Sequence, residues 1–296
     1  MPDNPISLTF RLPDGRQLGY ARYGTATGSP FFYFHGMPGS RYEAQLLDAA
    51  ARELELCICA VDRPGYGLSD YLPNRSLIDW ADDIVALANA LDIETFGIIA
   101  VSGGGPYALA CAHEIPERLS TTGIVCGLGP VDDSRLRQEM HWLARSGFAL
   151  ARQSPALLRN LYGRPLKWLS SVRPDITFRL LARCHGEADR RVLSRNDIRG
   201  ILSGSLRESF CQGPYAATRD VVLYQRPWGF RLEAIRRQVH LWHGDADRIV
   251  PCHHSRFVHA QLPDSILSIV PGEGHFSLPI MHAKAILAAL KSVLPG

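Results

Sequence analysis

Residues 96–106 read FGIIAVSGGGP, and this stretch decides the fold class. Phe96, Ile98, Ile99, Ala100 and Val101 form an apolar run of strand length that leads into Ser102, and helical residues run from Pro106 to His113. A serine at a sharp strand-to-helix turn needs small neighbours, because its backbone is strained and packs closely on both sides. Gly103 and Gly104 meet that need, while Ala100 stands where the G-x-S-x-G pattern has its first glycine. The helix that follows directs its N-terminus at Ser102, where backbone N–H groups favour developing negative charge. Nothing between Glu94 and Glu114 carries a formal charge, but the glycines and Pro106 fit strand, turn and buried helix better than a bilayer span.

The same alternation extends in both directions. Upstream, Leu8–Arg11 and Gln17–Tyr23 flank the turn Pro13-Asp14-Gly15, which predicts an antiparallel hairpin. Phe31–His35 and Leu56–Val61 read as strands, Tyr42–Glu53 as a helix between them, and Leu77–Leu91 as an amphipathic helix with Trp80, Ile84, Leu87 and Leu91 on one face. Thr122–Cys126 is a further strand. Apolar strands alternating with helices imply a mostly parallel sheet covered on both faces. The rhythm stops near Pro130, and residues 131–228 show arginine-rich helical stretches broken at Pro155, Pro165, Pro174 and Gly186. It resumes with strands at Val239–His243 and Ile266–Val270, a helix at His254–Gln261 and a closing helix over Ile280–Leu294. The expected architecture is therefore an α/β core of residues 1–130 and 229–296, interrupted by a helical insert at 131–228.

The chain has 296 residues, 46% hydrophobic and 21% charged, with a mean hydropathy of −0.06. That composition excludes disorder, collagen-like repeats and small disulfide scaffolds. Charge is unevenly placed: the insert carries a net +8 and the remainder −5, which together give the overall +3. A cationic insert suits either an anionic substrate, acidic surface or partner, or an outer face solvated by arginine, the blander reading being the last. No aromatic-basic reader motif accompanies the charge, so no nucleic-acid partner is expected. Cys57, Cys59, Cys111, Cys126, Cys184, Cys211 and Cys252 include no C-x-x-C pair, and reduced, buried thiols are expected. The segment MPDNPISLTF has no basic region before an apolar core, so a cytoplasmic location is expected.

Four further segments stand at strand ends. His35-Gly36-Met37-Pro38-Gly39-Ser40 is a turn able to aim a backbone N–H at the sheet's mouth, with His35 hydrogen-bonded beneath it. Asp62-Arg63-Pro64-Gly65-Tyr66-Gly67-Leu68-Ser69-Asp70 follows the Leu56–Val61 strand. Trp242 to Pro251 reads WHGDADRIVP and puts Asp247 four residues past His243, and Pro271 to Phe276 reads PGEGHF and carries His275. With these motifs in this order the chain resembles the α/β-hydrolase fold family over nearly its whole length.

The resemblance implies an eight-stranded, mostly parallel sheet with a helical cap inserted after the sixth strand. It makes Ser102 the nucleophile, His275 the general base and then acid, and Asp247 the carboxylate that orients the imidazole, with Asp245 and Asp132 as alternative acids. The backbone N–H groups of Met37 and Gly103 are the implied oxyanion donors. A serine at position 102 excludes the alkyl-ester chemistry of epoxide hydrolases and haloalkane dehalogenases. Proline iminopeptidase-like enzymes resemble G-G-S-W-G at the nucleophile, whereas Val101 and Gly103 flank the serine here. The expected activity is hydrolysis of a carboxylic ester or related acyl compound through an acyl-enzyme, with no cofactor, no metal and no membrane span. A carbon–carbon hydrolase or lyase using the same triad, and a ligand-binding receptor without turnover, are the alternatives. Of the insert's aromatic residues (Trp142, Phe148, Tyr162, Trp168, Phe178, Phe210, Tyr215, Tyr224 and Trp228) some are expected in its core and a few around an apolar substrate pocket. His253-His254 reads as a helix start rather than a metal site.

Overall fold

In the computed structural model, which describes residues 7–173, 176–177 and 185–294, the chain opens with the expected hairpin. β1 (Leu8–Arg11) pairs antiparallel with β2 (Gln17–Gly24), with Leu8 opposite Tyr20 and Arg11 opposite Gln17. β3 (Ser29–Phe34) is followed by a 3₁₀ segment over Arg41–Leu47 and by α1 (Asp48–Glu53). Next come β4 (Leu56–Val61), α2 (Trp80–Ala90), β5 (Phe96–Val101), α3 (Gly105–Glu114) and β6 (Leu119–Val125). Strand order in the sheet is β1-β2-β4-β3-β5-β6, continued by β7 (Val239–Gly244) and β8 (Ser265–Val270). Every pairing from β4 onward across the sheet is parallel.

Alternation along the strands divides the core into two layers. Phe32, Phe34, Ile98 and Ala100 face one side, where Trp80, Ile84 and Leu87 of α2 and Tyr107 of α3 cover them. Phe31, Tyr33, Ile99 and Val101 face the other, against Ala51 of α1. β4 and β5 are buried at every residue, which is why they read as unbroken apolar runs.

Between β6 and β7 the described regular elements are helices, in agreement with the lost strand rhythm: α4 (Ser134–Gln138), α5 (Trp142–Gln153), α6 (Pro155–Leu158), α7 (Arg164–Val172), α8 (Glu187–Ser194), α9 (Asn196–Ser209) and α10 (Tyr215–Tyr224). α11 (His253–Gln261) lies between β7 and β8. The closing segment departs from expectation. It comprises two helices, α12 (Ser277–Met281) and α13 (Ala283–Lys291), because His282 leaves helical geometry between them. Ile286, Leu287 and Leu290 of α13 complete the second core layer. Cys211 also departs: it is exposed just after α9, while Cys57, Cys59, Cys111 and Cys126 are buried and Cys252 is half-buried. Cys184 and Phe178 lie outside the described residues.

Gly244 ends β7 at a point where another chain segment presses against it. A Cβ there would lie 2.1 Å from the Glu273 carbonyl oxygen, a backbone atom with nowhere to go. This close approach brings the loops after β7 and β8 together. Gly244→Ala should therefore lower stability by about 1–3 kcal/mol, the usual cost of overpacking; urea denaturation with an unchanged midpoint would contradict that.

Candidate active site

Ser102 sits at the carboxyl end of the central strand β5 with φ at +54°, a left-handed conformation rare for a side chain of this kind. Gly103 and Gly104 make the turn possible. A Cβ on Gly104 would lie 2.3 Å from the Phe34 carbonyl oxygen, and one on Gly103 would lie 2.8 Å from the Met37 Cβ. Ala100 is fully buried and pairs with Phe34 and Ile124, so the extra methyl group is absorbed within the sheet.

Three side chains from distant loops meet here. His275 Nε2 lies 3.0 Å from Ser102 Oγ, and His275 Nδ1 lies 2.7 Å from Asp247 Oδ2. The other oxygen, Asp247 Oδ1, accepts the N–H groups of Ile249 (2.8 Å) and Val250 (3.0 Å), which fixes the carboxylate. Burial would raise the Asp247 carboxyl, but His275 and His243 outweigh it and hold it well below the usual carboxylate range. Burial likewise opposes charge on His275, yet the Asp247 carboxylate prevails and moves the imidazole above its ordinary value. Asp245 and Asp132 are exposed, and Asp245 accepts the Gly272 N–H at 2.7 Å. Of the three acids considered from sequence, Asp247 is the one bonded to His275.

The loop bearing His275 is fastened by a residue that sequence reading overlooked. Asp189 of α8, fully buried, accepts the backbone N–H groups of His275 (3.0 Å), Phe276 (2.9 Å) and Ser277 (2.9 Å).

The turn at residues 35–40 has its own anchor. His35 is buried beneath it as expected: Nε2 accepts the Arg63 N–H at 3.2 Å, so Nδ1 carries the proton donated to the Gly36 carbonyl at 2.8 Å. Burial and the neighbouring Arg63 keep this imidazole neutral. Arg63 donates to the His35 carbonyl and, at 2.8 Å, to the Gly36 carbonyl, while its Nε donates to Asp220 at 3.1 Å. Asp220 of α10 also accepts from Arg75, Tyr66 (2.9 Å) and Tyr107 (2.6 Å), and its Oδ2 lies 3.3 Å from the Tyr224 hydroxyl oxygen. The Tyr224 hydroxyl reaches the Gly103 carbonyl at 2.8 Å. Burial opposes ionisation of Asp220, but Arg75 and Arg63 drive its carboxyl well below the usual range. One buried cluster around Asp220 thus braces the 35–37 turn through Arg63 and the turn after Ser102 through Tyr224. Asp220 and Asp189 escaped the sequence reading because each is a single acid on an insert rich in surface charge; the four-residue spacing of Asp220 and Tyr224 was the one available hint.

Two cavities meet at Ser102. The larger, about 280 Å³, lies between the sheet and the helices after β6; its wall is mainly apolar and includes Leu143, Phe148, Tyr162, Phe210 and Tyr224. No arginine lines it among the described residues. Trp142, Trp168 and Tyr215 are exposed instead, and Trp228 is buried in the core. The smaller cavity, about 80 Å³, runs behind Ser102 and His275. Met37, Pro38 and Ser102 line both. His253 pairs with Glu139 at 2.9 Å, and His254 accepts the Gly129 N–H at 3.1 Å, in line with a structural helix start. Cys126, His243 and Asp247 bring possible ligand atoms within 4.8 Å of one another, but both His243 ring nitrogens are engaged, by Ser255 Oγ and the Val250 carbonyl.

Residues 29–279 match the model of the alpha/beta hydrolase fold family, and the chain belongs to that family. An esterase from Thermogutta terrifontis superposes with a TM-score of 0.70 at 18% identity, covering 98% of this chain and 99% of that one. A bromoperoxidase from Bacillus anthracis does so with 0.66 at 18% identity, covering 97% and 99%. Among curated relatives, an uncharacterized hydrolase of Bacillus subtilis is 34% identical over 39% of this chain and 38% of its own length. An uncharacterized protein of Mycobacterium tuberculosis is 24% identical over 92% of this chain and 76% of its own.

Asp220→Asn should cost about 3–5 kcal/mol of stability in chemical denaturation, because it strands Arg63 and Arg75 without a counter-charge. Asp132→Asn, at an exposed position, should stay within about 0.5 kcal/mol of the parent. Equal midpoints for the two variants would refute the network's importance.

Proposed function

We propose that the protein is a serine hydrolase that cleaves a carboxylic ester or related acyl compound. The observation that carries this reading is the hydrogen-bonded chain Ser102–His275–Asp247 at the mouth of an apolar cavity. Ser102 Oγ attacks the carbonyl carbon as its proton passes to His275 Nε2. Asp247 holds the ring through Nδ1 and stabilises the imidazolium. His275 then protonates the leaving alcohol, and water activated by the same nitrogen releases the acid from Ser102.

The developing oxyanion is assigned to the N–H groups of Met37 and Gly103. The Gly36 carbonyl belongs to the same peptide group as the Met37 N–H. Two donors on that oxygen, Arg63 and His35, polarise the group and strengthen the N–H as a donor. The donors are held before the substrate arrives, so no reorganisation is needed as charge develops. We further assign residues 131–228 the role of a cap over a core of 1–130 and 229–296. The mainly apolar wall of the larger cavity, which includes no arginine among the described residues, favours an uncharged substrate with a sizeable apolar acyl or alcohol portion.

A fluorophosphonate probe should label Ser102, located by mass spectrometry. Ser102→Ala should lose label and at least about 10⁴-fold in kcat with its denaturation midpoint kept; retained turnover would overturn the mechanism. The pH profile is a separate check. Since His275 must be neutral to accept the proton and titrates above its ordinary 6.5, kcat/KM should fall on acidification with an apparent pKa above 6.5. An acid limb lying below that value would count against the assigned base.

A further inference from the structure

The smaller cavity holds a carboxyl group that the mechanism does not use. Glu43, in the 3₁₀ segment after the 35–40 turn, lines it together with Ser102 and His275. Most of the remaining wall is apolar, as at Ile99, Val125 and Ala283. Glu43 Oε2 accepts the Gly36 N–H at 2.9 Å, and Tyr33 lines the same cavity. A Cβ on Gly39 would come within 2.7 Å of Glu43 Oε2, so the turn is shaped around this carboxylate. The Gly36 N–H fills one of about four acceptor positions on an ionised carboxylate, which leaves acceptor capacity in the cavity.

Size and charge narrow what can use it. A cavity of about 150 Å³ admits benzene, so 80 Å³ admits about three non-hydrogen atoms. His275 lines the same space and becomes cationic as Ser102 attacks, which disfavours an ammonium group and favours an uncharged donor. We propose that this cavity is a subsite for the short arm of the substrate, in which Glu43 accepts a hydrogen bond from a hydroxyl group. The inference rests on the hydrolase reading above and specifies its substrate class: esters with one long apolar arm and one short hydroxylated arm.

Two isosteric ester pairs test it: octyl 3-hydroxypropanoate against octyl butanoate, and 2-hydroxyethyl octanoate against propyl octanoate. kcat/KM is measured for each with the wild-type protein and with Glu43→Gln, which keeps an acceptor for the Gly36 N–H. Comparing ratios between the two proteins removes the intrinsic reactivity of each ester. Wild type should prefer the hydroxylated member of one pair by about tenfold or more, and Glu43→Gln should compress that ratio to within about threefold. Ala283→Leu, which narrows the cavity without replacing Glu43, should compress the same ratio and decides the matter if Glu43→Gln does not fold. A uniform loss of activity in Glu43→Gln with unchanged ratios means that Glu43 merely fastens the turn, and overturns the inference. Flat wild-type ratios overturn it too while leaving the hydrolase reading intact. Failure to label Ser102 together with no cleavage of any of these esters overturns the hydrolase reading itself.

Discussion

A carboxylate cut off from water must find its compensation inside the protein, and Asp220 finds it in two guanidinium groups and two phenols. The requirement is severe, because each unpaired partner would carry a desolvation penalty of several kcal/mol. Its consequence is positional. Arg63, in satisfying Asp220, also sets the His35 and Gly36 carbonyls, and Tyr224, beside the same carboxylate, donates to the Gly103 carbonyl. The two turns that frame Ser102 are thereby braced by one buried cluster, before any substrate enters.

The histidine loop obeys the same logic with a different acid. Asp189 takes up three successive N–H groups around residue 275, which fastens the backbone there. Both acids come from the helices between β6 and β7, while the strand ends they brace come from the sheet. The helices consequently do more than wall a cavity: they brace the loops that carry Ser102 and His275. A displacement of the order of 1 Å in such a loop is enough to cost about 10²-fold in rate.

Much of the fold was readable because burial on both faces leaves a plain signature. Leu56–Val61 and Phe96–Val101 were delimited to the residue, since an unbroken apolar run can be little else between turns. Ser102, His275 and Asp247 stood out through their place at strand ends and the resemblance they carry, with Asp245 and Asp132 kept as alternatives to Asp247; the structure joins the three preferred residues by hydrogen bonds. The two helices after His275 were read as one, because the apolar period continues through the break at His282. Asp189, Asp220 and Glu43 stayed hidden for a common reason: a charge compensated by tertiary contacts looks, in one dimension, like a solvated one. The insert's arginines left open a solvated outer face or an anionic ligand, and Arg135 and Arg195, mostly exposed, fit the first. The core arginines Arg41, Arg63 and Arg75, by contrast, are buried and paired with acids from several elements.

Positions 189 and 220 also bear on how modular the molecule is. Recombining residues 131–228 with the corresponding segment of a relative would import a new pocket wall and, with it, whatever side chains that segment carries at these two points. Without acids there, the hybrid would be left with two orphaned cations and a slack histidine loop, however well its new wall suited a ligand. A transplanted segment therefore has to bring acids at positions 189 and 220 with it, whereas single replacements at wall positions such as Leu143 or Phe148 leave both braces in place.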